Sequence, residues 1–173
     1  QPFAFRKGHP IKTRIGVHTG VANVGNFGSD NRVDYTAIGE NINLASRIEG
    51  LNKHLKTNIL ISAETRKQAG EALGHNRFLG HFRLSGFEKT VGIFELLQPD
   101  HPFIKDSALQ QNFDAAREKH DQGDMTSAVQ MFSAIQEKAL HDGPTLFYLK
   151  RCQSILYGAI PTSTPDQIVI NEK

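Results

Sequence analysis

A chain of 173 residues, 38% hydrophobic and 22% charged, has the length and composition of one globular domain or one and a fraction, not of a disordered tail. A net charge of +2, carried by scattered Lys and Arg with no Trp among the aromatics, is too small to argue for a nucleic-acid surface, and no nucleic-acid partner is expected. No apolar run approaches the ~20 residues of a bilayer-spanning helix, and lone Cys152 excludes an internal disulfide and a Cys-based metal cluster, so the expectation is a cytoplasmic catalytic part, with a membrane anchor upstream left open.

Residues 12–18 read as a strand, and Gly20 opens a turn into a second strand over 21–24. Residues 32–36 form a third β-type run, which breaks at Gly39 into a helix over 40–53. On that helix Ile42, Leu44, Ala45, Ile48 and Leu51 supply an apolar stripe that docks on a sheet, and Asn43 and Arg47 share one face at its margin. A guanidinium forks to phosphate oxygens and an amide orients a sugar hydroxyl, so the pair suits a reaction that builds negative charge on phosphate. The same two residues also fit an ordinary solvated helix face. His18 has no second His, Cys or carboxylate at ligand spacing and is expected to be hydrogen-bonded or packed, not metal-bound.

Further on, residues 58–62 read as a short buried strand, 63–72 as a helix N-capped by Ser62, and 78–84 with 90–97 as a hairpin around Gly86. Strand, helix, strand, helix and hairpin make half of an α/β sandwich, assigned to residues 1–97. Pro99 and Pro102 mark a linker over 98–105, and the segment 106–157 turns helical over 107–120, 126–141 and 145–157. Ala116, Ala128, Phe132 and Ile135, with Gly123 and Asp124 in the turn, fall where a tetratricopeptide-like helical hairpin places its packing residues. One such unit cannot bury a continuous core, so it is expected to pack on the α/β body or on a second copy. The Pro/Ser/Thr-rich segment 158–173 is expected to be a poorly ordered tail.

Four blocks carry a resemblance: Arg14-Ile15-Gly16-Val17-His18-Thr19-Gly20, Gly25-Asn26-Phe27-Gly28-Ser29, the stretch from Asp34 to Arg47, and Leu84-Ser85-Gly86 through to Glu95-Leu96. In this order they resemble the catalytic domain of the class III adenylate and guanylate cyclases, in its C-terminal half. The resemblance implies an α+β sandwich with a ferredoxin-like sheet, and conversion of ATP to 3′,5′-cyclic AMP and pyrophosphate at the interface of a homodimer. It implies two Mg²⁺ or Mn²⁺ ions, held in the family by two aspartates whose sequence blocks are not found here. No metal ligand is therefore assigned to this chain, which is expected to be a piece of a longer enzyme and inactive alone.

By position in the motif, Asn43 would orient the ribose and Arg47 would stabilise charge at the α-phosphate. Thr36, seven residues before Asn43, falls where the family reads the purine edge. A hydroxyl accepts from an exocyclic amine without demanding one, which implies a moderate preference for ATP over GTP. Arg32 lies near a phosphate-binding arginine of the family and Lys89 near a phosphate lysine, although Val91 holds that aligned position and both cations also read as solvated. The implied partners are ATP and a second cyclase subunit, with no nucleic acid and no membrane contact from this segment. Two rival readings remain: a degenerate cyclase-fold module that binds nucleotide without turnover, and a protein-interaction module whose helical part does the work.

Overall fold

The structure, a computed structural model, describes residues 13–29, 32–159 and 167–170. Its first strand, β1 (Ile15–Val17), lies parallel to β4 (Ile59–Ser62), and between them the chain makes a hairpin and a long helix. The hairpin pairs β2 (Asn23–Ser29) with β3 (Arg32–Ile38) in register from Asn23↔Ile38 to Ser29↔Arg32. The second strand therefore starts later and runs further than the expected 21–24, because the ladder continues through Gly25 and Gly28.

Gly39, with φ 136°, turns β3 into α1 (Glu40–Leu55), a backbone conformation that only glycine adopts without strain. Helix α1 carries Glu40 in its first turn and Lys53 and His54 in its last, each sign complementing the macrodipole. Leu44, Ile48, Leu51 and Leu55 form its buried stripe, whereas Ile42, expected in that stripe, is 39% exposed. At 3.6 residues per turn Ile42 stands about 160° around the helix from Leu44, which puts it on the far side. Gly16 lets α1 lie directly on β1, since a Cβ there would collide with the helix backbone at Ala45 and Glu49. Asn52, 1% exposed, fixes the same contact: its amide donates to Ile15 O at 3.0 Å and its oxygen accepts from the Thr57 hydroxyl at 2.8 Å.

Ser62 caps α2 (Ala63–Ala69) by accepting from Thr65 N, and from Gly70 to Leu73 the chain tightens into a 3-10 turn, so the expected helix to residue 72 is α-helical only as far as Ala69. Strands β5 (Asn76–Leu84) and β6 (Val91–Leu96) then form the expected antiparallel pair. The described sheet has the order β1-β4-β6-β5 and is extended by one further strand, β7 (Gln167–Ile170), parallel to β5. That strand corrects the expectation of a poorly ordered tail. Ile168 is 2% exposed, so a short apolar run inside a Pro/Ser/Thr-rich segment finds a sheet edge to pair with.

The stretch expected as a linker contains one helical turn, α3 (Pro102–Lys105), with Phe103 buried. It leads into α4 (Ser107–Asp121), α5 (Met125–Lys138) and α6 (Gly143–Leu156), N-capped by Asp106, Asp124 and Asp142 in turn. Ala116, Ala128, Phe132 and Ile135 are all buried between these helices, as their spacing predicts. One hydrophobic cluster runs without a break from Leu44 and Ile48 through Leu79 and Phe82 to Phe113, Phe132 and Tyr148. The helical part thus packs on the α/β body.

Two polar contacts join the halves. Tyr148 donates its hydroxyl to Leu79 O at 2.5 Å, and Arg77 of β5 bridges Glu95 of β6 to Asp142 at the start of α6. Arg77 Nη2 lies 2.7 Å from Glu95 and 2.5 Å from Asp142, and the guanidinium stacks 4.2 Å from the centre of the Phe103 ring. Burial pushes the Glu95 carboxyl above its ordinary range despite Arg77. For Asp142, burial is outweighed by Arg77 and by the Thr145 hydroxyl and amide, which hold it below that range. Burial also pushes the Cys152 thiol up to about 11, so this cysteine serves packing.

Candidate active site

Asn43 and Arg47 come to the surface on the flank of the α1 stripe, Asn43 exposed and Arg47 half-buried. They line an open depression of about 550 Å³ together with Gly39, Glu40 and the turn Ser85-Gly86-Phe87 between β5 and β6. Because Leu44, Ile48 and Leu51 are locked in the core, the two polar side chains start from a fixed helix backbone. The depression opens at the first turn of α1, where the Glu40 carboxylate already complements the positive end of the helix dipole. A planar guanidinium and a neutral amide on one open space suit a phosphorylated ligand, with Glu40 as the one carboxylate among the described lining residues.

The other candidates lie apart. Thr36 is exposed on the β2–β3 hairpin opposite Gly25, and it shares a strand face with Asp34 and Arg32. Arg32 pairs with Asp34 at 3.3 Å and stands six residues up β3 from Ile38, about 20 Å at the rise of a strand. Lys89 is exposed on the β5–β6 loop beyond Phe87 and does not line the depression. Glu40, Ser85 and Phe87 are lining residues to which the sequence reading gave no role, although the Leu84-Ser85-Gly86 block had marked that turn.

Next to this space a hydrogen-bond chain steadies the entry to α1. His18 lies 2.8 Å from Ser62 Oγ through Nδ1 and 3.0 Å from Asn41 Oδ1 through Nε2, and Asn41 Nδ2 donates to Val21 O at 2.7 Å. Asn41 Oδ1 can only accept, so the proton is assigned to Nε2 and Ser62 donates to Nδ1. This places His18 in a hydrogen-bonded role, as expected. Among the described residues no group of three or more His, Cys, Asp or Glu side chains is placed to hold a metal ion, and no helix is long and apolar enough to cross a membrane.

The family described as "Adenylate and Guanylate cyclase catalytic domain" matches residues 1–94. Adenylate cyclase 1 of Rhizobium meliloti (strain 1021) is 38% identical over 87 residues, which are 50% of this chain and 13% of that protein. The terminal-differentiation specific adenylate cyclase of Dictyostelium discoideum is 30% identical over 149 residues, 82% of this chain and 7% of that protein. The second alignment is longer than the family match and so takes in part of the helical extension. The crystal structure of the adenylyl cyclase CyaB from P. aeruginosa overlays 50% of this chain and 42% of that one at 37% identity, with a TM-score of 0.43. The chain therefore spans a small part of the two curated relatives and less than half of the solved one. With the family match running over more than half of its residues, through the strands and the helix that frame the depression, the chain belongs to the adenylate and guanylate cyclase catalytic domain family.

Proposed function

We propose that this chain supplies the ribose-orienting and transition-state half of a composite site that converts ATP to cyclic AMP and pyrophosphate between two cyclase subunits. The observation that supports it best is the meeting of Asn43 and Arg47 with the Ser85-Gly86-Phe87 turn in one open depression on a rigid helix. In the reaction the ribose 3′-oxygen bonds to the α-phosphorus, the bond from that phosphorus to the β-bridging oxygen breaks, and the 3′-hydroxyl proton passes to solvent. Asn43 holds the ribose so that the 3′-oxygen faces phosphorus in line with the leaving pyrophosphate. Arg47 donates to the α-phosphate oxygens as charge grows on them.

The reading also draws on the names of the relatives, which are adenylate cyclases. Thr36, from the hairpin of one subunit, reads the adenine edge, and Arg32 and Lys89 are the cations available to the outer phosphates. All three stand apart from the depression, so these roles require the second subunit to complete the cleft. The Mg²⁺ or Mn²⁺ pair implied by the resemblance finds no carboxylate set among the described residues, and no step here is routed through it. The proposal accordingly includes a second, metal-carrying subunit, a cytoplasmic location, and inactivity of this chain by itself.

Asn43→Ala and Arg47→Ala in the complete parent protein test the roles. Each is expected to lower kcat by about 100- to 1,000-fold, the usual loss for one preorganised donor, with little change in KM or in the thermal transition. A change confined to KM would assign both residues to ground-state binding and remove the proposed role.

A further inference from the structure

We infer that the junction of α1, α6 and β7 is a binding site for a small amphiphilic anion, an aliphatic chain carrying a carboxylate or phosphate-monoester head. A pocket of about 440 Å³ opens there, within the size range of small-molecule sites and separate from the depression, with which it shares no described lining residue. Its walls are of two kinds. Leu146 and Phe147 of α6 and Ile168 and Ile170 of β7 give an apolar interior, while His54, Lys56, Lys150 and Arg151 stand around it. No Asp or Glu is among the described residues that line it.

Ordinary helix electrostatics accounts for part of this. His54 and Lys56 sit at the C-terminal end of α1, where the macrodipole favours cations. It does not account for Lys150 and Arg151, which lie in the middle of α6, and among the described residues no carboxylate pairs with Lys56, Lys150 or Arg151. Arg151 is held in place by donating its Nε to His120 Nε2 at 3.1 Å. Among the described residues this positive rim has no counter-charge, and such a rim is self-repelling and is relieved by an anion. Guanidinium and ammonium serve a carboxylate or a phosphate head, and the apolar interior excludes a bare inorganic anion as the best ligand, since that would leave the Leu146 to Ile170 walls facing water.

Titration calorimetry of the full chain with decanoate, decyl phosphate, decanol and inorganic phosphate tests the site. Saturable one-to-one binding is expected for the two chained anions, weakening as salt is raised, and the tighter of them names the head group. Decanol and inorganic phosphate should each bind at least about tenfold more weakly, one lacking charge and the other lacking the chain. A Lys56→Asn and Lys150→Gln double variant removes two exposed cations without touching the core, and Asn suits the left-handed backbone at position 56. It should lose about tenfold in affinity for the chained anions, leave decanol unchanged and keep the parent's thermal transition. Ser154→Trp should block every chained ligand by filling the pocket. Decanol binding as tightly as decanoate, equal binding by the double variant, or no saturable binding below micelle formation would each overturn the assignment.

Discussion

Two asparagines on α1 show how one residue type serves opposite ends. Asn43 is exposed at the depression, while Asn52 is buried with its amide spent on Ile15 O and the Thr57 hydroxyl. Asn52→Leu should cost about 1–3 kcal/mol for each buried partner left unsatisfied, read as a lower denaturation midpoint, whereas Asn43→Ala should leave that midpoint unchanged. Asn43 was legible in the sequence because it stands in a motif with Arg47. Asn52 was not, because its importance comes from the approach of β1, which no local pattern records. At Thr36, the proposed hydroxyl reader of the purine predicts a moderate preference of the complete enzyme for ATP over GTP in kcat/KM. Equal or higher kcat/KM with GTP would remove Thr36 from that role.

Between elements, the decisive feature is the Arg77 cluster that ties β5 and β6 to the start of α6. Removing Arg77 leaves two buried carboxylates uncompensated, so Arg77→Met should destabilise by about 3–5 kcal/mol, measured by chemical unfolding. The two carboxylates respond to acid with opposite signs. Asp142, held below its ordinary 3.8 by Arg77 against the effect of burial, contributes stability that is complete above that value and is lost as pH falls through its folded value. Glu95, held above its ordinary 4.5 by burial, costs stability at neutral pH, and that cost is relieved as pH falls from its folded value towards 4.5. Asp142→Asn should therefore flatten the loss of thermal stability below 3.8, and Glu95→Gln should abolish the gain above 4.5; equal acid profiles for both variants and the parent would contradict the assignment. Arg77, Glu95 and Asp142 are spread along the chain and join only once β5, β6 and α6 are packed, which is why sequence spacing gave no hint of them. The helices α4 and α5 were legible because Ala116, Ala128, Phe132 and Ile135 keep their spacing, whereas β7 was hidden by the composition of the residues around it.

At the scale of the whole molecule, the α/β part presents apolar surface on its hairpin and outer strand, with Tyr35 77%, Val33 59% and Ile15 42% exposed. A surface of this kind suits burial against other protein surface, and the composite site proposed above calls for such a partner. The direct test mixes the purified chain with a complete cyclase subunit whose own arginine at the Arg47 position is replaced by Ala. Neither component alone should form cyclic AMP, and the mixture should form it in a metal-dependent way, because one of its two sites then joins intact carboxylates to an intact Asn43 and Arg47. The Arg47→Ala chain should restore nothing. Cyclic AMP made by the chain alone, or equal rescue by the Arg47→Ala chain, would contradict the proposed division of labour.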